Sequence, residues 1–154
     1  MSTTYYLDSS ALVKRYAVET GTGWIRTLCE QPETVIAVAL VSLVEVAAAV
    51  AGKRRGGLMD QATSDAILGD LKADAVLLYA LLDVDQYVVD EAIELTRRRR
   101  LRGYDAIHLA CALRLNRALA DNDLPPLILV AADDDLLNAA QAEGLETENP
   151  NSHP

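Results

Sequence analysis

Four short apolar runs punctuate the chain: Tyr5-Tyr6-Leu7, Val35 to Leu40, Ala80-Leu81-Leu82 and Leu127 to Ala131. Continuous apolar runs of this length suit strands buried on both faces, since a sheet with one wet face would alternate polar and apolar residues. Between them lie longer stretches with apolar residues at helical spacing: Ser10 to Ala17, Gly21 to Glu30, Ser42 to about Lys53, Asp60 to about Leu78, Tyr87 to Arg100, Tyr104 to Ala120 and Leu136 to Glu143. Strands alternating with helices predict an α/β domain whose mainly parallel sheet is covered on both faces. The long fourth helix is expected to turn Ala62, Ala66, Leu71, Ala75 and Leu78 inward. With 154 residues there is room for one domain. It is expected over residues 1–146, leaving 147–154 as a flexible tail that frays.

Composition removes several classes of function. The stretch Val35 to Ala51 is nearly all apolar, but it carries Glu45 and is shorter than the ~20 residues of a spanning helix, so no membrane role is expected. The opening Met1-Ser2-Thr3-Thr4-Tyr5 has no basic segment of the kind that begins a signal peptide, and the cytoplasm is the expected location. Cys29 and Cys111 are too few for a disulfide framework, and with only His108 and His153 they cannot assemble a zinc cluster. A net charge of −9 excludes holding nucleic acid by bulk positive charge. It does not exclude a metal-using nuclease, whose site is itself rich in carboxylates. No Gly-x-Gly-x-x-Gly follows a strand, which argues against a dinucleotide site.

Open α/β sheets bind ligands beyond the carboxyl ends of their strands. Asp8 follows the first strand directly, and Asp133 follows the last almost directly. Glu45 is the only charge in its apolar stretch, and Asp105 opens the most apolar helix, Ala106 to Leu113. Acids placed so need a partner, and several converging carboxylates suit Mg²⁺ or Mn²⁺, which take hard oxygen ligands. A plainer account exists for each acid taken singly. Ser42-Leu43-Val44-Glu45 matches a capping box, and Asp8, Asp105 and Asp133 stand where acids cap helices. The two accounts are compatible, because a helix N-terminus keeps a carboxylate ionised.

The motifs resemble those of a known family. Tyr5-Tyr6-Leu7-Asp8-Ser9-Ser10-Ala11-Leu12-Val13-Lys14 resembles the opening of PIN-domain proteins, and Ser42-Leu43-Val44-Glu45-Val46-Ala47 their second acidic motif. Leu101-Arg102-Gly103-Tyr104-Asp105-Ala106-Ile107-His108-Leu109-Ala110 is similar to the third, and Leu129-Val130-Ala131-Ala132-Asp133-Asp134-Asp135-Leu136-Leu137 to the fourth. Order and spacing agree from about residue 4 to 146, and the size is that of the VapC-like toxin endoribonucleases of type II toxin–antitoxin systems. The resemblance implies a three-layer α/β/α fold with a central, mainly parallel sheet of four or five strands. It implies metal-site acids Asp8, Glu45, Asp105 and Asp133, and Mg²⁺- or Mn²⁺-dependent hydrolysis of RNA leaving 5′-phosphate ends. Asp8, Asp105 and Asp133 are the expected direct ligands, with Glu45 binding through water or orienting the attacking water. The implied partners are the RNA substrate, a cognate antitoxin and a second copy in a homodimer or toxin–antitoxin hetero-oligomer.

Where the family usually has Thr or Ser two residues before its fourth acid, this chain has Ala131, which is expected to weaken support of the site. Asp134 or Asp135 becomes a substitute ligand if the register shifts. Ser9 matches the family's small hydroxyl residue beside the first acid, suited to supporting the metal or a phosphate. His108, which shares a helix face with Asp105, reads as a satisfied core histidine rather than a contact to RNA or a support behind the metal-site acids. Lys53-Arg54-Arg55 and Arg97 to Arg102 concentrate positive charge, either as a phosphate-contacting rim or as ordinary decoration of helix C-termini. Other readings are an RNA-processing nuclease without an antitoxin, an inert binding module, and a phosphatase or receiver-like domain with Asp8 as phosphoacceptor. The last leaves Glu45 and the Asp105 motif unexplained.

Overall fold

Each apolar run becomes a strand: the runs at Tyr5, Val35 and Leu127 are largely buried, whereas Ala80 and Leu81 are exposed at the sheet's edge. The computed structural model describes all 154 residues. In chain order the elements are β1 (Thr3–Leu7), α1 (Ser9–Tyr16), α2 (Thr22–Glu30), β2 (Thr34–Ala39), α3 (Leu40–Arg55), α4 (Gln61–Leu77), β3 (Tyr79–Leu82), α5 (Gln86–Arg98), α6 (Gly103–Asp121), β4 (Ile128–Val130), α7 (Asp134–Ala142), β5 (Glu146–Glu148) and a final 3₁₀ turn (Pro150–Ser152). The strands form one sheet in the order β3-β2-β1-β4-β5, and every pairing is parallel.

Alternate residues along the strands face two separate cores. Leu7, Ile36, Val38 and Val130 pack with Leu12, Ile25, Val46 and Leu71 from the α1–α4 layer. Tyr6, Ala37, Ala39, Leu129 and Ala131 pack with Leu95, Leu109, Leu136 and Ala140 from the α5–α7 layer. The first two crossovers carry the chain to one side of β1 and the later ones return it to the other. The strand order therefore reverses between β1 and β4, and a crevice opens there at the carboxyl ends.

Three expectations are corrected. Residues after Gly144 do not fray: Glu146–Glu148 extend the sheet as its fifth strand, with Leu129 opposite Thr147. The last turn is held too, since the His153 ring stacks on Trp24 at 4.5 Å and bonds Glu148 at 2.9 Å. The turn also rests against Gly21, whose φ is +89° and where a Cβ would stand 2.4 Å from the Pro150 carbonyl oxygen. Gly21→Ala is expected to cost at least ~1–2 kcal/mol from the left-handed backbone alone, with the clash added. Thermal unfolding should show a midpoint lower by several degrees. The second correction concerns α4. Its buried residues are Ser64 and Leu71, with Ile67 and Ala75 packed beside them, whereas Ala62, Ala66 and Leu78 face solvent. The apolar count in this helix exceeds what one packed face can bury. Third, the capping box at Ser42 does not form. α3 begins at Leu40 with no side-chain cap, Ser42 is fully buried with its hydroxyl unpartnered, and Glu45 turns elsewhere. No helix is long and apolar enough to cross a membrane, and both cysteines are free thiols.

Candidate active site

All four acids singled out from the sequence line one cavity of about 390 Å³, together with Ser9, Ser10, Arg102, Gly103 and Tyr104. It opens in the crevice between β1 and β4. Asp134 and Asp135 stay outside it, exposed on the first turn of α7.

Asp8 is delivered by the end of β1, where its amide bonds the Val130 carbonyl at 3.1 Å. Its carboxylate caps α1 by accepting from the Ala11 amide at 3.0 Å and takes the Ser10 hydroxyl at 2.7 and 2.8 Å. Burial nevertheless dominates, raising Asp8 from its ordinary 3.8 to about 6. Ser10 also accepts from the Ala132 amide at 2.9 Å. That hydroxyl ties the first acid to the loop carrying the fourth, a link in the neighbourhood where Ala131 offers none. Ser9, the expected support for a metal or phosphate, donates instead to Glu45 at 3.0 Å.

Asp133 caps α7 through the Leu136 amide at 3.0 Å. Asp105 sits in the first turn of α6 without capping it. Burial raises its pKa, and the nearby Asp133 charge adds to the rise. The Arg102 guanidinium bridges these two acids, at 3.6 Å from Asp105 and 3.3 Å from Asp133. Glu45 behaves differently. Burial would raise it, but hydrogen bonds from His108 and Ser9 and the attraction of His108 hold it below the usual range. His108 is a buried histidine with its polar atoms satisfied, but one of its two partners is an acid of the cavity. It is 1% exposed and bonded through both ring nitrogens, to the Tyr6 hydroxyl at 2.7 Å and to Glu45 at 2.8 Å. Tyr6 was invisible as a site-related residue, because a tyrosine in an apolar run reads as core.

The donor set fits a hard divalent cation. Arg102 already places positive charge between Asp105 and Asp133, which shows where the acids accept it. No three acidic, histidine or cysteine side chains stand close enough to enclose an ion directly. That suits Mg²⁺, which keeps several waters and takes only one or two carboxylates. Asp8, Glu45, Asp105 and Asp133 all line the cavity that would take it.

The basic run divides. Arg97 pairs with Glu94, while Arg98 and Arg99 both clamp Glu143, at 2.6 and 2.7 Å, and hold its carboxyl down to about 2. Lys53 pairs with Glu19 at 3.3 Å. Of the run from Arg97 to Arg102, only Arg102 lines the acidic cavity. Trp24, Tyr16 and Tyr87 lie away from it.

The family model for the PIN domain matches residues 5–142. No curated protein matches the chain. Among solved structures, FitAcB from Neisseria gonorrhoeae superposes with a TM-score of 0.65 at 16% identity, covering 95% of this chain and 97% of that one. A toxin–antitoxin complex from Klebsiella pneumoniae gives 0.60 at 18% identity, covering 95% and 97%. VapC20 of Mycobacterium tuberculosis, described as a sarcin-ricin loop cleaving toxin, gives 0.59 at 18% identity, covering 92% and 95%. At these identities the likeness is one of fold.

Proposed function

The chain belongs to the PIN domain family, and on that premise we propose that it is a divalent-metal-dependent endoribonuclease, the toxin of a toxin–antitoxin pair. The observation that carries this reading is the convergence of Asp8, Glu45, Asp105 and Asp133 on one polar cavity at the sheet's reversal point. The resemblance in fold to a toxin–antitoxin complex and to a loop-cleaving toxin supports the toxin role. It implies an antitoxin that covers the acidic cavity, and the cytoplasm, where such RNA resides.

In this reading Asp8, Asp105 and Asp133 would hold Mg²⁺ or Mn²⁺, one or two of them directly and the rest through its waters. The bound ion would supply charge stabilisation at the scissile phosphate and acidify water. Glu45, kept ionised by His108 and Ser9, orients the attacking water and accepts its proton. Arg102, which lines the cavity beside Asp105 and Asp133, is placed to meet the phosphate. Attack by water leaves a 5′-phosphate and a 3′-hydroxyl, so the ribose 2′-hydroxyl takes no part.

The test is cleavage of end-labelled single-stranded and stem-loop RNAs by purified protein with Mg²⁺, Mn²⁺ or EDTA. Cutting that needs the metal and leaves 5′-phosphate ends is expected. Cyclic phosphate ends, or cutting undiminished in EDTA, would overturn the mechanism. A second prediction separates the arginines. Arg102→Ala should weaken RNA binding and reduce the salt slope of log Kd by about 0.7, the contribution of one phosphate contact on a single strand. Arg98→Ala with Arg99→Ala should leave that slope nearly unchanged, because both side chains are turned to Glu143 and neither lines the acidic cavity. Fluorescence anisotropy over a salt series reads both.

A further inference from the structure

Behind the cavity runs a chain of buried polar groups to which the reading above assigns only one end. Tyr6 is wholly buried in the middle of the sheet, and His108 is 1% exposed on α6. Their contact spans 102 residues of sequence, and that of His108 with Glu45 spans 63. Ala37, a small residue, lies opposite Tyr6 on the neighbouring strand β2. Buried polar groups of this kind are costly unless every one is paired.

Hydrogen-bond accounting fixes the direction of the chain. The Glu45 carboxylate can only accept, and it takes Ser9 Oγ–H on one oxygen. His108 Nε2 stands 2.8 Å from the other oxygen and must carry a proton to bond there. In the neutral ring Nδ1 is then a bare acceptor, and the Tyr6 hydroxyl, 2.7 Å away, donates to it. In this arrangement the Tyr6 hydroxyl, both ring nitrogens and both Glu45 oxygens are bonded. The rings meet edge to face, with centroids 6.0 Å apart, so Tyr6 also sets the plane in which Nε2 points.

We infer that Tyr6 and His108 are positioning residues for Glu45: the Tyr6 hydroxyl selects the His108 tautomer, and His108 with Ser9 holds the Glu45 carboxylate in one orientation toward the acidic cavity. This rests on the nuclease reading and deepens it. A histidine kept only to fill the core would need bulk, not a hydroxyl on one side and a carboxylate on the other. Partners of this kind, one step behind the groups that hold a metal, typically change metal affinity or activity 10–100-fold when removed.

The test uses the full chain and three variants. His108→Asn keeps an amide near the position of Nδ1 and loses the reach to Glu45. His108→Gln puts an amide donor near the position of Nε2 and keeps it. Tyr6→Phe removes only the hydroxyl. Mn²⁺ affinity by calorimetric titration, kcat and KM for RNA cleavage, and the metal-free unfolding midpoint are read for each. His108→Asn should lose about 10–100-fold in kcat or Mn²⁺ affinity with KM for RNA nearly unchanged. His108→Gln should recover most of that loss, and Tyr6→Phe should fall between them. A folded His108→Asn that binds Mn²⁺ and cuts like the parent would overturn the inference, as would a His108→Gln impaired as deeply as His108→Asn. Should His108→Asn fail to fold, Tyr6→Phe decides alone: unchanged kcat and Mn²⁺ affinity sink the proposal, and a loss at constant KM supports it. A parent chain that neither binds Mn²⁺ nor cuts RNA removes the nuclease reading itself. An active parent with indifferent variants removes only the positioning role.

Discussion

Asp8→Asn is expected to yield a protein that no longer cuts RNA and is more stable without metal than the parent. Asp8 is 3% exposed, and burial moves its pKa from 3.8 to about 6. Below pH 3.8 the carboxyl is protonated in both folded and unfolded chains and costs nothing. Between 3.8 and 6 the folded chain holds a proton that the unfolded chain has released, so stability falls as pH rises through this window. Above 6 the whole cost of the buried charge is present. Two units correspond to roughly 3 kcal/mol. Asparagine removes that cost and keeps a carbonyl for the Ala11 amide and the Ser10 hydroxyl, although these bonds lose their charge. A net gain of about 1–3 kcal/mol follows at neutral pH, or roughly 2–10 °C in the unfolding midpoint. Cleavage should drop by at least ~10³-fold, since a cation that stabilises the transition state by several kcal/mol is no longer held. Calorimetry in EDTA across pH 4 to 8 checks the first half: the advantage of the variant should vanish near pH 4. An Asp8→Asn less stable than the parent at pH 7 would refute the account of the buried charge. Asp105→Asn should abolish cleavage as well.

The second large effect is on folding. His108→Leu fills the space but strips the Tyr6 hydroxyl and the Glu45 carboxylate of their shared partner. Tyr6 is wholly buried and has no water to turn to. The orphaned hydroxyl costs about 1–3 kcal/mol, whereas Glu45 keeps Ser9 and reaches solvent, so a loss of about 2 kcal/mol overall is expected. The unfolding midpoint should fall by roughly 4–8 °C. Adding Tyr6→Phe to His108→Leu should restore part of the loss, because two apolar groups then meet where a lone hydroxyl was stranded. A double-mutant cycle showing no coupling would deny that the two side chains act together.

Much of this architecture was legible in the chain because burial on both faces leaves a plain mark on the central strands, and the edge run at Ala80 is apolar too although half exposed. The apolar runs from Tyr5, Val35, Ala80 and Leu127 became strands of a parallel sheet, and Asp8 and Asp133 could be placed at their ends before any coordinates. β5 was illegible. Glu146-Thr147-Glu148 is polar, since an edge strand is half in water, and only pairing with β4 makes it a strand. The inner face of α4 was misjudged because its apolar residues surround the helix. Local pattern failed at Ser42, where a sequence that fits a capping box lies beyond the true start of α3 and Glu45 is drawn to His108 and Ser9 instead. Nothing local in the run from Arg97 to Arg102 told the arginines apart. Glu143, 45 residues beyond Arg98, claims two of them. Ser10 and Tyr6 went unseen for the same reason: their roles are set by groups 122 and 102 residues away.

The strand order also sets a timetable. Asp8 lies in β1's wake at the start of the chain, but the strand on its far side, β4, begins at residue 128, and Asp133 comes later still. A growing chain emerging from the ribosome has β1, β2 and β3 in hand long before the wall that buries Asp8 exists. The acidic cavity can close only after Asp133 has been made. Until then the unfinished polypeptide carries its acids apart.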